Sequence, residues 1–125
     1  MNYDRDKLIE MLIVDEGMKL QVYQDSLDID TIGVGRNLEE RGLTVAELQH
    51  LGFTTMQEVY CIGITESGAR YLLRNDIDIV ERELSIAHPC IENLTEGRQI
   101  VCLNMAFNLG VPRLKKFKKM WAAVH

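Results

Sequence analysis

Apolar residues near the start of the chain recur at helical spacing. Leu8, Met11 and Leu12 fall at i, i+3 and i+4 and predict a helix over 4–16. Asp4 or Asp6 can start it, and Gly17 stands where a helix C-terminus takes a glycine. From 18 to 36 the period shortens. Val22 and Tyr23, then Ile29, Thr31, Ile32 and Val34, predict strands around a polar turn from Asp25 to Asp30, with Gly33 and Gly35 loosening the second strand. Thr44-x-x-Glu47 is a capping-box pattern and predicts a short helix to about Leu51. The longest helical pattern runs over 65–87. Thr65 caps it, Ala69, Leu72, Leu73, Ile77, Val80 and Leu84 form its apolar side, and His88-Pro89 stops it. Thr95 opens another helix through Leu109, and Pro112 suits the first turn of a last one through Val124. A helix, a small β section and then helices predict an α+β fold.

Composition narrows the functional classes. The chain of 125 residues is 46% hydrophobic and 26% charged, which fits a globular protein with a real core. No apolar run approaches the roughly 18 residues of a membrane span, so no membrane insertion is expected. The polar, acidic start does not resemble a signal peptide, and a cytoplasmic protein is expected. The net charge is −5, unevenly distributed. Residues 113–119 carry Arg113, Lys115, Lys116, Lys118 and Lys119, whereas the first 112 residues hold nine basic and nineteen acidic side chains. An acidic body argues against nucleic acid as a partner, and the basic run reads as a solvated helix face. Cys61, Cys90 and Cys102 lie far apart, without metal-ligand spacing to the scattered histidines. They read as small buried thiols; no metal and no cofactor are expected.

Two acids stand out by their local setting. Glu16 ends the first helix, where the partial negative charge of the helix terminus favours a protonated carboxyl. Asp25 lies in a polar turn that favours the ionised form. One protonated and one ionised carboxyl is what glycoside hydrolysis requires. Nineteen acids offer many such pairs, so the environment alone is a weak signal.

The spacing is far more specific. Glu16-x8-Asp25-x5-Thr31, set in Asp15-Glu16-Gly17-Met18-Lys19-Leu20, Tyr23-Gln24-Asp25 and Thr31-Ile32-Gly33-Val34-Gly35, closely resembles the phage-type lysozymes. Gly63-Ile64-Thr65, Arg74-Asn75-Asp76-Ile77-Asp78, Asn104-Met105-Ala106-Phe107-Asn108-Leu109-Gly110 and Phe117 agree in order, so the likeness runs from about residue 8 to 121. The resemblance implies a single lysozyme-like domain over 1–125. Residues 18–64 would form a small β-containing lobe, 65–87 a connecting helix, and 1–17 with 88–125 a helical lobe. It implies a muramidase that cleaves the β-1,4 bond of peptidoglycan with inversion. Glu16 would be the general acid, Asp25 would direct a water, and Thr31 would help to hold it. Asn37, Asn104 and Phe107 match positions that line the sugar cleft. It further implies action on the wall after release from the cytoplasm of the host bacterium.

Three departures from the family pattern carry expectations of their own. Arg36 replaces a histidine that pairs with the long-helix acid, here Asp76. Asp28 replaces a glycine in the hairpin turn, which allows for a different turn. The chain also stops at His125 where the resemblance implies further helices, so self-association through the helical lobe is expected. The alternative to an active enzyme is a degenerate member that binds wall glycans or a partner protein without turnover.

Overall fold

In a computed structural model of the chain, residues 1–109 are described. The helix expected over 112–124, with Phe117 and the basic run, lies outside them. The architecture is α+β, as the patterning predicts. In chain order it consists of α1 (Arg5–Glu16), β1 (Lys19–Gln24), β2 (Asp30–Gly33), β3 (Arg36–Asn37), α2 (Val45–Leu51), α3 (Met56–Ile62), α4 (Glu66–Ala87), a 3-10 turn (Pro89–Asn93) and α5 (Glu96–Leu109). Among the described residues no helix is long and apolar enough to cross a membrane.

The chain divides into two compact units, one of Leu12–Arg74, the other of Met1–Met11 with the chain from Asn75 onward. In the first, three antiparallel strands lie in the order β1-β2-β3. Tyr23 faces Thr31 across the first pair, and Thr31 faces Asn37 across the second. Ile32, Leu38, Val59, Ile64, Ala69 and Leu72 form the core of this unit, with Val22, Leu48, Phe53 and Tyr71 packed around it. Burial of side chains like these stabilises at about 25 cal/mol per Å² of apolar surface. Ile64 donates its backbone N–H to the Leu20 carbonyl, which ties the end of α3 to β1. Gly63 makes that junction with φ +83°; a Cβ there would collide with the Leu20 carbonyl oxygen.

Two helices of this unit start with capping boxes. Thr44 accepts from the Glu47 N–H, and Glu47 accepts from the Thr44 N–H, as its sequence pattern predicts. Thr55 and Glu58 do the same for α3, a helix the sequence reading passed over. The same Thr-x-x-Glu signal was present there at Thr55-Met56-Gln57-Glu58.

In the second unit, the N-terminal segment is fastened by charge. The Met1 ammonium reaches Glu92 at 3.3 Å, Lys7 reaches Glu96 at 3.1 Å, and Arg5 bridges Asp78 and Glu81 of α4. The buried Gln99 amide donates to the carbonyls of Ile91, Glu92 and Leu94, holding the 3-10 turn to α5. Ile77, Leu84, Ile91, Ile100, Leu103 and Ala106 are buried here, whereas Val101 is exposed.

Two expectations need correcting. Met11 is 40% exposed, and Ile9 joins Leu8 and Leu12 on the buried stripe of α1. Successive helical residues turn by about 100°, so an apolar arc through Leu8 and Leu12 can extend to either neighbour. Packing chose Ile9. The three thiols do not share one environment either: Cys102 is buried, Cys90 is intermediate and Cys61 is exposed. Burial, with the neighbouring Cys90, raises the pKa of the Cys102 thiol, as expected of an inert core cysteine.

Candidate active site

The carboxyl at the end of α1 is positioned by the way that helix stops. Gly17 adopts φ +77° and donates its N–H to the Ile13 carbonyl, closing the last turn directly after Glu16. The chain then turns into β1. The Glu16 side chain is exposed. Its carboxyl lies against Gly35 in the β2–β3 turn. A Cβ on Gly35 would come within 3.3 Å of Glu16 Oε2.

Asp25 organises the hairpin that follows β1. Its Oδ1 accepts the backbone N–H groups of Leu27 at 2.8 Å and Ile29 at 3.0 Å. Its own N–H donates to the Ile29 carbonyl, and its carbonyl accepts from the Asp28 N–H. Asp28 takes φ +61°. Aspartate is among the few residues other than glycine that enter this left-handed region at modest cost. The turn therefore has the backbone twist a glycine would give it, without the glycine.

Thr31 is 4% exposed, in β2, and its hydroxyl donates to the Ile29 carbonyl at 2.8 Å. With its proton so committed, the oxygen keeps its lone pairs for a donor such as water. Asn37, opposite Thr31, accepts at Oδ1 from the N–H groups of Glu39 and Glu40. Its side-chain oxygen thus shapes the loop after β3.

Sequence reasoning overlooked Tyr23. Burial raises the pKa of its phenol, and the charges of Glu16 and then Asp25 add to the effect. One side chain feeling both carboxylates brings Glu16, Tyr23, Asp25 and Thr31 to one locality of the Leu12–Arg74 unit. The signal available was its place in Tyr23-Gln24-Asp25, next to one of the two carboxyls.

The other two predicted residues belong to the second unit. Asn104 lies on α5, where its carbonyl and Oδ1 accept from Asn108 Nδ2, and Phe107 is half-buried on the same helix. Among the described residues no group of His, Cys, Asp or Glu is arranged to hold a metal ion.

Arg36 underpins the turn beside Glu16. It is 2% exposed and makes a two-pronged contact with Glu47, 3% exposed, at 2.9 and 2.8 Å. It also donates to the carbonyls of Gly42 and Leu72. Glu47 thus serves two masters, capping α2 with Oε1 and gripping Arg36 with both oxygens. Sequence reasoning had considered only an acid of the long helix for Arg36.

A small α+β protein whose first helix ends in a carboxyl, with a second carboxyl on the adjoining hairpin and a hydroxyl beside it, has the parts that acid-assisted attack of water on a glycosidic bond requires. The chain belongs to the phage lysozyme family, whose model matches residues 14–122. It is 29% identical over 126 aligned residues to the pre-baseplate central spike protein Gp5 of Enterobacteria phage T4, an alignment covering 94% of this chain and 22% of that protein. It is also 29% identical to two probable T4-type lysozymes of Dictyostelium discoideum. Those alignments cover 87% and 90% of this chain and 69% and 71% of the relatives. The chain therefore spans about a fifth of the spike protein's length and about seven-tenths of the other two.

Proposed function

We propose that this protein is a muramidase that hydrolyses the β-1,4 bond between N-acetylmuramic acid and N-acetylglucosamine in peptidoglycan, with inversion at the anomeric carbon. The observation that carries the reading is the shared locality of Glu16, Asp25 and Thr31, with the Asp25 carboxylate anchored through one oxygen and the Thr31 hydroxyl proton already donated.

Each group has a distinct task in a single displacement. Glu16 gives its proton to the glycosidic oxygen as the bond from that oxygen to the anomeric carbon breaks. A water on the opposite face of the sugar forms the new bond to that carbon. It passes one proton to Asp25 Oδ2, while Oδ1 stays held by Leu27 and Ile29. The second hydrogen of the water points to Thr31 Oγ1, which leaves a lone pair for the carbon. Inversion calls for roughly 6.5–9.5 Å between the carboxyls, room for that water. No step asks for a metal ion. Asn37, on the same sheet, is assigned to binding the glycan.

Lysis of outer-membrane-permeabilised Gram-negative cells, followed by turbidity, tests the assignment. Glu16→Gln and Asp25→Asn should each cut the rate at least about 100-fold with the fold intact, because neither amide can exchange the proton. A wild-type protein that binds walls without clearing them, and a Glu16→Gln variant identical to it, would point instead to a glycan-binding member without turnover.

A further inference from the structure

Tyr23 has no part in the assignment above, yet the sheet puts it on the same face, beside Thr31. Directly opposed residues in antiparallel strands project to one side of the sheet. The pairs Tyr23–Thr31 and Thr31–Asn37 therefore make a single row across all three strands. Asp25 follows directly on the end of β1, two residues beyond Tyr23. Tyr23 is half-buried, so part of it stays open to a ligand.

Two carboxylates act on the phenol. Burial, Glu16 and Asp25 hold its pKa above the ordinary tyrosine value, so it stays a neutral donor beside the two carboxyls. A neutral phenol on the row of Thr31 and Asn37 can donate to an oxygen of a ligand bound on that face.

We propose that Tyr23 is a substrate-binding residue of this site, its hydroxyl donating a hydrogen bond to an oxygen of the N-acetylated sugar ring held between Glu16 and Asp25. This rests on the muramidase reading and extends it by one contact. The Tyr23→Phe substitution removes the donor and keeps the ring, so the packing of β1 is preserved.

The test measures binding of an N-acetylglucosamine oligosaccharide to the full chain by calorimetry, and KM and kcat on soluble wall fragments. Tyr23→Phe should weaken binding about three- to tenfold, the worth of one neutral hydrogen bond, and raise KM more than it lowers kcat. Its melting temperature should match wild type. Phenol titration in the ultraviolet supplies a readout that does not depend on activity. The wild-type signal minus that of Tyr23→Phe isolates this tyrosine, and its pKa should fall towards the ordinary value in both Glu16→Gln and Asp25→Asn. Unchanged affinity in Tyr23→Phe overturns the inference alone. A melting temperature that drops together with affinity assigns Tyr23 to packing and overturns it too. A wild-type protein that binds no oligosaccharide takes the muramidase reading down with it.

Discussion

Gly35 shows how a residue with no reactive group can govern one that has. Its backbone lies at φ +75°, and the Glu16 carboxyl rests where a side chain would project. Gly35→Ala therefore meets two penalties. The left-handed conformation costs a residue with a Cβ about 1–2 kcal/mol. The added carbon stands 3.3 Å from Glu16 Oε2, closer than nearly all ordinary contacts, so the carboxyl has to give way. Wall lysis should fall at least about tenfold under conditions where the variant is still fully folded, because a small displacement of the proton donor is enough to slow the step. Equal specific activity of folded Gly35→Ala and wild type would show that the acid is not positioned from this turn. The sequence singles out Glu16, Asp25 and Thr31 because they fall within sixteen residues in a motif that resembles the phage-type lysozymes. Tyr23 was not singled out because an apolar-looking strand tyrosine carries no motif of its own, and only the cross-strand register gives it neighbours.

At the scale of elements, the pair Arg36–Glu47 joins β3 to α2 within the Leu12–Arg74 unit. Both partners are almost wholly buried and the contact is two-pronged, the geometry in which an ion pair is strongest. Removing one partner takes from the other its two-pronged buried contact. Glu47→Ala or Arg36→Met should each destabilise by about 3–5 kcal/mol. The double variant Arg36→Met with Glu47→Leu should cost less than the sum, since the contact between the two is lost only once. Denaturant unfolding of the four proteins checks this, and additive losses would mean that the two side chains act independently. The capping box announced Glu47 as the start of α2 but revealed only part of its work. A Thr-x-x-Glu pattern assigns the carboxylate a partner three residues back and is silent on what else it can accept. The missed α3 is a different failure. Its cap, Thr55-x-x-Glu58, is as clear as the first, but only Val59 of the helix is fully buried, so no apolar stripe drew attention to it.

For the whole molecule, patterning predicted the α+β class and the run of helices α1, α2, α4 and α5, because each has either a cap or a buried stripe to mark it. The choice between Met11 and Ile9 on α1 was beyond it, since that choice depends on what the helix packs against. The site proposed for chemistry is assembled from one continuous stretch of the Leu12–Arg74 unit, while the sugar-binding residues expected on α5 belong to the other. The central claim is a single displacement at the anomeric carbon by a water that Asp25 and Thr31 hold, with Glu16 as acid. Proton NMR of the products from a soluble wall fragment, recorded faster than the new reducing end can mutarotate, tests it most directly. The account predicts that the α-anomer appears first from wild type and that Glu16→Gln releases almost no product. A β-anomer appearing first, or no new reducing ends from the wild-type protein, would contradict it.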